Sequence, residues 1–253
     1  MSTGSKEVNL KLVIEYDGKN YSGWQRQKNK PTVQESIEKT LQVLFPKDII
    51  KLTGAGRTDA GVHALNQAAN FKVRKDSYKA LTREKLTRSM NAMLPADITI
   101  KSVSVVRDSF NARYSAKKRV YKYLITTVKR SYNSDKYFHI KTKFDIDLGK
   151  EYCKLLVGSH SFKSMCKNKE DDHGFMCSVY GADVRKLKDG VILFEISANR
   201  FLHSMVRAVI GMMINIASSK VTLKEFYQKF KKGEQLRMQF VPANALILDK
   251  IIY

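Results

Sequence analysis

Two periodicities of hydrophobic and polar positions alternate along the chain. Segments in which every second residue is apolar are typical of half-buried strands, whereas apolar residues three or four positions apart are typical of helices. In the first part of the chain these patterns predict the order strand, helix, strand, strand, helix, strand. The predicted elements cover 8–16, 33–45, 49–53, 67–73, 82–93 and 98–105.

The same order of elements recurs after residue 111. The predicted elements are strands at 120–128, 178–188, 191–198 and 245–252, and helices at 148–157, 203–217 and 223–230. The pair Asp189-Gly190 favours a primed hairpin turn. Each half has the β-α-β-β-α-β order of a split βαβ unit, so we predict an α+β fold. Its two ferredoxin-like (RRM-like) halves, 1–110 and 111–253, would form one mixed, mainly antiparallel sheet flanked by helices, with a central basic cleft.

The charge of the chain points to a polyanionic partner. It contains 46 Lys and Arg against 24 Asp and Glu, which gives a formal net charge of +22. The basic residues are spread along the sequence, so we expect a folded basic surface that binds nucleic acid; surface lysines that serve solubility are the alternative. No apolar segment is long enough to span a membrane, and residues 1–7 contain no apolar signal region. We therefore expect a cytoplasmic protein without membrane association.

The cysteines and histidines indicate neither a disulfide framework nor a strong metal motif. Three cysteines are too few for a disulfide scaffold and agree with a reducing compartment. His160, Cys166, His173 and Cys177 could together supply four zinc ligands. Their spacing matches no compact zinc finger, and the segment 167–172 is typical of a solvated loop. The sequence thus favours reduced, partly buried thiols and no metal.

A glycine-rich turn at 54–64 carries the best candidate for chemistry. Its glycines allow positive φ or close approach to another surface, so the turn can present Asp59 and Arg57 instead of packing them away. The flanking predicted strands place Asp59 on a strand connection, where functional groups are often displayed. A simple turn-capping role for Asp59 is the alternative that local chemistry leaves open.

The apolar helix predicted at 203–217 carries one arginine, Arg207. An unpaired guanidinium is costly to bury, so Arg207 requires a carboxylate nearby, and Asp59 is the best available partner. The alternative is that Arg207 extends to solvent from the edge of the helix.

Residues 56–64 resemble the signature of the TruA-type tRNA pseudouridine synthases, and the resemblance extends over nearly the whole chain. Further matching motifs lie on both sides of it, in family order, at 16–18, 21–27, 32–34, 91–98, 110–114, 119–123, 158–162 and 201–211. The resemblance implies the pseudouridine synthase fold and an isomerase that converts uridine to pseudouridine. It implies no cofactor, because nothing is oxidised or transferred to another molecule.

The resemblance also assigns roles to five residues. Asp59 matches the essential aspartate, which attacks the nucleoside or assists departure of the base from C1′. Tyr121 matches the tyrosine that stacks on the target base, although the sequence alone would favour a core aromatic in the strand 120–128. Arg207 matches the basic residue paired with the aspartate, and Arg57 matches the arginine that enters the RNA as the uridine leaves. Leu246 matches an apolar wall of the pocket.

The substrate implied by the resemblance is the anticodon stem-loop of tRNA, at positions 38 to 40, bound across a homodimer. Two alternatives stay open: a pseudouridine synthase that acts on another structured RNA such as rRNA, and a noncatalytic RNA-binding protein. The chain departs from the family pattern at Ser161, Ala208 and Ala245, where Asp, Asn and Gly are usual. These positions bear on RNA docking or pocket shape rather than on the reaction.

Overall fold

The computed structural model describes residues 7–79, 81–168, 170 and 173–253. Its fold is mixed α+β, with a large mixed sheet flanked by helices, which confirms the predicted class. The chain forms two compact units. The first unit comprises Met1–Lys117 together with Leu248–Tyr253, and the second comprises Lys118–Ile247.

The first unit contains the predicted β-α-β-β-α-β order with one short additional helix. Its elements are β1 (Glu7–Tyr16), α1 (Val33–Leu44), β2 (Thr53–Gly54), β3 (His63–Arg74), α2 (Lys75–Lys79), α3 (Arg83–Met93) and β4 (Ile98–Val106). Strand β1 lies between β3 and β4 and is antiparallel to both, and β2 pairs antiparallel with β3. The resulting order, β4-β1-β3-β2, is that of a ferredoxin-like sheet.

Alternating burial explains how this sheet acquires its core. Leu10, Leu12 and Ile14 are fully buried on one face of β1, as expected for a strand with one apolar face. Threonines cap the two longer helices: the hydroxyls of Thr32 and Thr82 accept hydrogen bonds from backbone N–H groups in the first turns of α1 and α3. Such caps satisfy donors that a helix leaves unpaired at its start.

The second unit repeats the predicted order with two short additional strands. Its elements are β5 (Lys118–Thr126), β6 (Phe138–His139), α4 (Ile146–Leu156), β7 (Gly158–Ser161), β8 (Met176–Lys186), β9 (Val191–Ala198), α5 (Met205–Ala217) and α6 (Leu223–Lys232). The strand order is β5-β9-β8-β7, with β6 parallel to β5. The last strand, β10 (Leu246–Ile252), begins in this unit and continues into the first.

The hairpin between β8 and β9 agrees with the predicted turn. Asp189 and Gly190 both have positive φ, and the N–H of Val191 donates to the carbonyl of Lys188. Among the primed turns, type I′ requires positive φ at both central positions, which Asp and Gly adopt readily. The predicted bounds 191–198 coincide with those of β9.

The strand predicted at 49–53 is wrong except for its last residue. Only Thr53 belongs to β2, and Ile49 is 94% exposed. The N–H of Leu52 donates to the carboxylate of Glu38, and its carbonyl accepts a hydrogen bond from Gln34. Because side chains of α1 satisfy these backbone groups, the segment needs no partner strand.

The zinc alternative receives no support from the side chains that the structure describes. Among these residues, no group of three or more His, Cys, Asp or Glu side chains is arranged to hold a metal ion. His160 and Cys177 face each other in the β7–β8 ladder, and Cys166 donates to backbone carbonyls. Within the predicted loop 167–172, Lys169, Asp171 and Asp172 lie outside the described residues.

None of the helices in the described part of the chain is long and apolar enough to cross a membrane.

Candidate active site

The turn between β2 and β3 presents Asp59 on the first unit. Asp59 is half-buried, Arg57 beside it is exposed, and Thr58 between them is buried. The turn therefore exposes two charged side chains while its central hydroxyl points into the protein. This arrangement agrees with the prediction that Asp59 lies on a strand connection.

Backbone and side-chain hydrogen bonds fix the conformation of this turn. The hydroxyls of Tyr16 and Thr58 lie 2.8 Å apart, and the N–H of Trp24 donates to the carbonyl of Thr58 at 3.2 Å. The carbonyl of Asp59 accepts from the N–H of Val62. Since the residue before Asp59 is held by two separate segments, the carboxylate is presented from a rigid support.

Two glycines of the segment that precedes α1 make this close packing possible. A Cβ atom on Gly18 would overlap the carbonyl of Val62, and one on Gly23 would lie 2.5 Å from the carbonyl oxygen of Thr58. Gly23 also has φ +97°, which side-chain-bearing residues rarely adopt. The motifs at 16–18 and 21–27 thus form a support for the Asp59 turn.

Trp24 belongs to this support. Its side chain is 2% exposed, its ring centroid lies 6.1 Å from that of Tyr16, and its indole fills the space that a Cβ on Gly54 would occupy. Burial raises the pKa of the Tyr16 phenol, although hydrogen bonds from Thr58 and Gln67 oppose this shift. The Tyr16 hydroxyl therefore stays protonated and serves as a structural hydrogen-bonding group.

Tyr121 lies on β5 in the second unit, where it pairs in register with Ile196 of β9. Its side chain is 8% exposed and makes an edge-to-face contact with Phe201, at 5.2 Å between ring centroids. The residue is therefore mostly enclosed, and Phe201 fixes the orientation of its ring.

Arg207 lies in the first turn of α5 and is half-buried. Its Nε donates to the carbonyl of Val241 at 2.8 Å. A Cβ on Gly211, one turn further along α5, would overlap the carbonyl of Gln239. Because Gly211 has no side chain, the segment 239–241 can pack against α5 and bring an acceptor to Arg207.

Leu246 opens β10 and is buried. The short 3₁₀ turn Ala243–Ala245 leads into it. Just before this turn, the carbonyl of Pro242 accepts a hydrogen bond from the hydroxyl of Tyr123 at 2.9 Å. Burial raises the pKa of Tyr123, against the opposing effect of the Arg207 charge. The phenol is thus a neutral hydrogen-bond donor that fixes the position of Pro242, shortly before Leu246.

Comparison with known proteins identifies the family. Residues 12–115 and 152–253 match the family model described as tRNA pseudouridine synthase. The chain is 37% identical over 248 residues to a tRNA pseudouridine synthase A of Thermoanaerobacter sp. (strain X514), covering 97% of this chain and 99% of the relative. It is 38% identical to a tRNA pseudouridine synthase A of Dictyoglomus thermophilum, covering 97% and 100%, and 40% identical to one of Dictyoglomus turgidum, covering 93% and 95%. The chain belongs to the tRNA pseudouridine synthase family.

As a member of this family, the protein is an isomerase that converts uridine to pseudouridine in tRNA. This result confirms the resemblance on which the function was predicted. It favours an enzyme over the alternative of a noncatalytic RNA-binding protein.

The three departures from the family pattern lie in different surroundings. Ala208, which follows Arg207 in α5, and Ala245, which precedes Leu246, are fully buried. Ser161 ends the edge strand β7 and is exposed. The two alanines therefore affect packing beside Arg207 and Leu246, whereas Ser161 affects only the surface.

Sequence reasoning left the supporting residues without a role. Tyr16, Gly18, Gly23 and Trp24 belong to the motifs at 16–18 and 21–27, but their function as a support follows only from their contacts with the Asp59 turn. Gly211 ends the motif at 201–211, but its role depends on a segment 28 positions away, at Gln239, and follows only from the structure.

Proposed function

We propose that the enzyme modifies uridines in the anticodon stem-loop of tRNA, at positions 38 to 40, and that it acts in the cytoplasm as a homodimer. The family resemblance of the motifs supports this target, and the net charge of +22 supports an extended contact with RNA. The observation that carries the proposal is the Asp59 turn. It holds a partly exposed carboxylate on a support made of the family's opening motifs.

In the proposed reaction, the C1′–N1 glycosidic bond breaks, the base rotates, and a C1′–C5 bond forms. The proton on C5 is lost and N1 gains a proton, so atoms and charge balance without an oxidant or a group donor. Asp59 attacks the nucleoside or assists departure of the base from C1′, and both roles require an ionised carboxylate. A dry site would disfavour that charge, and a nearby guanidinium would favour it. We assign the guanidinium to Arg207.

We assign the binding of the target base to Tyr121 and Leu246. A flat aromatic ring can hold a base by stacking while the base turns, since stacking does not require fixed hydrogen bonds. The edge-to-face contact with Phe201 supports this assignment because it leaves the ring of Tyr121 in a defined orientation. Leu246 would supply an apolar wall to the same base.

We assign Arg57 to contact with the RNA helix that the uridine leaves. A stacked uridine must leave its helix before chemistry, at a cost of a few kcal/mol. The exposed side chain of Arg57, two residues before Asp59, can fill the gap and contact phosphates. We expect its loss to weaken catalysis mainly on structured RNA.

Pseudouridine mapping tests the target. RNA from cells with and without the protein is treated with a carbodiimide that marks pseudouridine, and the marked positions are sequenced. Loss of pseudouridine at tRNA positions 38 to 40 would support the proposal. Loss at other tRNA positions or in rRNA would contradict it, and no loss would contradict a cellular role for the enzyme on these RNAs.

Sedimentation tests the homodimer. We expect two 29.0 kDa chains to sediment together as a dimer, with and without an anticodon stem-loop RNA. A monomeric sedimentation coefficient under both conditions would contradict this part of the proposal.

A further inference from the structure

A loop of the first unit presents an arginine and a tyrosine on an unusually well-fixed backbone. The loop connects β4 to β5 and has Arg113 and Tyr114 at its tip. The Tyr114 side chain is 72% exposed, and the guanidinium carbon of Arg113 lies 5.6 Å from the centroid of its ring. Single exposed aromatic rings are common on protein surfaces, but this ring lies beside an arginine on a fixed backbone, which makes both side chains available to a ligand.

Every backbone N–H from residue 110 to residue 115 makes a hydrogen bond within the first unit. The side-chain oxygen of Asn111 accepts from the N–H groups of Arg113 and Tyr114 at 2.9 and 3.1 Å, and its carbonyl accepts from Ser115. The remaining donors are Phe110, Asn111 and Ala112, which bond to Arg107, Ser115 and Asn70. The tip therefore has little backbone freedom to lose on binding.

A buried pair of asparagines anchors the loop to the sheet. The amide of Asn9 on β1 donates to the carbonyls of Arg107 and Phe110 at 3.0 and 2.9 Å, and the amide of Asn70 on β3 donates to Asn9. Asn70 also accepts from the N–H of Ala112 at 2.7 Å. Buried polar side chains are costly unless they are paired, and here they are used to hold this loop.

The base of the loop packs beside the turn that carries Asp59. Ala112 forms a small buried cluster with Ala55 and Ala68, at the start of that turn and on β3. On the other side, the hydroxyl of Tyr253 donates to the carbonyl of Ala112. The loop and the Asp59 turn thus pack against the same small cluster in the first unit.

We propose that Arg113 and Tyr114 form a stacking platform for an unpaired nucleotide of the RNA substrate, next to the uridine that is modified. The ring of Tyr114 stacks on the base, and the guanidinium of Arg113 contacts the adjacent phosphate. An aromatic face combined with an arginine is the usual means of holding a single-stranded nucleotide without reading its sequence. The inference rests on the proposed action on a stem-loop, whose loop offers unpaired bases.

The test compares Tyr114→Ala with Tyr114→Phe. We expect Tyr114→Ala to weaken tRNA binding by about tenfold or more, as loss of one base–aromatic contact predicts. KM should rise by a similar factor, with kcat and thermal stability unchanged. Tyr114→Phe keeps the ring and should behave as the wild type. The matched control is Tyr132→Ala, which removes another tyrosine that is 86% exposed and should leave affinity unchanged.

A fluorescent probe tests stacking directly. The probe is an anticodon stem-loop RNA with 2-aminopurine in its loop, whose fluorescence falls when it stacks on an aromatic ring. The wild type and Tyr114→Phe should quench it at one loop position, and Tyr114→Ala should not. Asn111→Ala, which releases the N–H groups of both tip residues, should give an intermediate loss of affinity.

Unchanged affinity and KM of Tyr114→Ala would overturn the inference, as would equal losses for Tyr114→Ala and Tyr114→Phe, since the hydroxyl and not the ring would then be responsible. If mapping finds pseudouridine outside positions 38 to 40 but Tyr114→Ala still loses tRNA affinity, the platform stands and the proposed target fails.

Discussion

The Asp59 turn of the first unit and the Arg207 region of the second achieve rigidity by different means. Asp59 lies on irregular backbone, whose position depends on Tyr16, Trp24 and glycines that allow close backbone contacts. Arg207 lies on a regular helix, and a hydrogen bond to the carbonyl of Val241 orients it. An irregular turn therefore needs many specialised residues, whereas a helix needs only one glycine and one carbonyl.

Loss of the guanidinium should have the largest effect in the second unit. We expect Arg207→Ala to lower kcat by about 100- to 1,000-fold, as removal of one group that stabilises charge in an active site usually does. Arg207→Lys should recover only part of the rate, because a lysine offers no planar group to share between Val241 and a carboxylate. Single-turnover assays with saturating tRNA measure this effect. A rate within threefold of the wild type for Arg207→Ala would contradict the assigned role.

The support of the Asp59 turn should be sensitive to one added methyl group. Gly23→Ala places a Cβ against the carbonyl of Thr58 and retains a positive φ, so we expect a loss of about 3 kcal/mol in the free energy of unfolding. Activity should fall with it, because the displaced carbonyl precedes Asp59. Urea denaturation and turnover assays check both effects.

The matched control is Gly233→Ala at the end of α6. Gly233 also has a positive φ, of +67°, but has no atom within 4 Å of the added Cβ. Gly233→Ala should lower the free energy of unfolding by only about 1 kcal/mol and leave the activity unchanged. Equal losses for the two variants would show that φ alone, and not the close approach to Thr58, explains the glycine at position 23.

Two helical glycines of the second unit provide a finer comparison. Gly211→Ala forces the segment at Gln239 away from α5, which should disturb the bond from Arg207 to Val241 and lower kcat by about tenfold. Gly149→Ala on α4 meets only side chains, at 3.1 Å or more, and should retain full activity. If both variants have wild-type kcat, the backbone approach at Gly211 does not position Arg207.

The sequence predicted the fold wherever periodicity and turn chemistry agreed. Strand β9 and the Asp189-Gly190 turn are examples, because the strongly apolar strand comes directly after a residue pair that favours positive φ. The strand at 49–53 could not be judged in this way, because side chains of α1 satisfy the backbone of Leu52. Such long-range pairing is invisible in a local pattern.

The glycine-rich turn indicates Asp59 as a candidate without reference to the family, whereas Tyr121 is predicted as a site residue only through the family resemblance. Tyr121 looks like any core aromatic of a strand, and it is 8% exposed. The support formed by Tyr16 and Trp24 has no local signature either. Candidate residues on regular elements thus resemble packing residues, whereas candidates on irregular turns are recognisable from the sequence.

A smaller effect concerns the pH dependence of stability in the first unit. Asp48 is buried and accepts hydrogen bonds from the Ser77 hydroxyl at 2.6 Å and the Arg74 N–H at 2.8 Å. Burial alone would raise the pKa of Asp48, but these hydrogen bonds and the charge of Arg74 together lower it. A lowered pKa means that the folded state favours the ionised carboxyl group.

This contribution to stability is therefore present above the ordinary pKa of about 3.9 and is lost as the pH falls through the folded-state value. Asp48→Asn should lower the free energy of unfolding by about 1–3 kcal/mol at pH 7, with activity per folded molecule unchanged. The difference from the wild type should shrink towards pH 3, as followed by thermal melts. A difference that does not depend on pH would show that the charge of Asp48 contributes nothing.

The measurement that tests the central claim most directly is pseudouridine formation by Asp59→Asn, with Asp76→Asn on the exposed helix α2 as the matched control. The amide keeps the shape of the side chain and removes its charge. We predict that Asp59→Asn loses activity by about 1,000-fold or more, while tRNA affinity and thermal stability stay near those of the wild type. Turnover close to that of Asp76→Asn would contradict the assignment of Asp59 as the catalytic carboxylate.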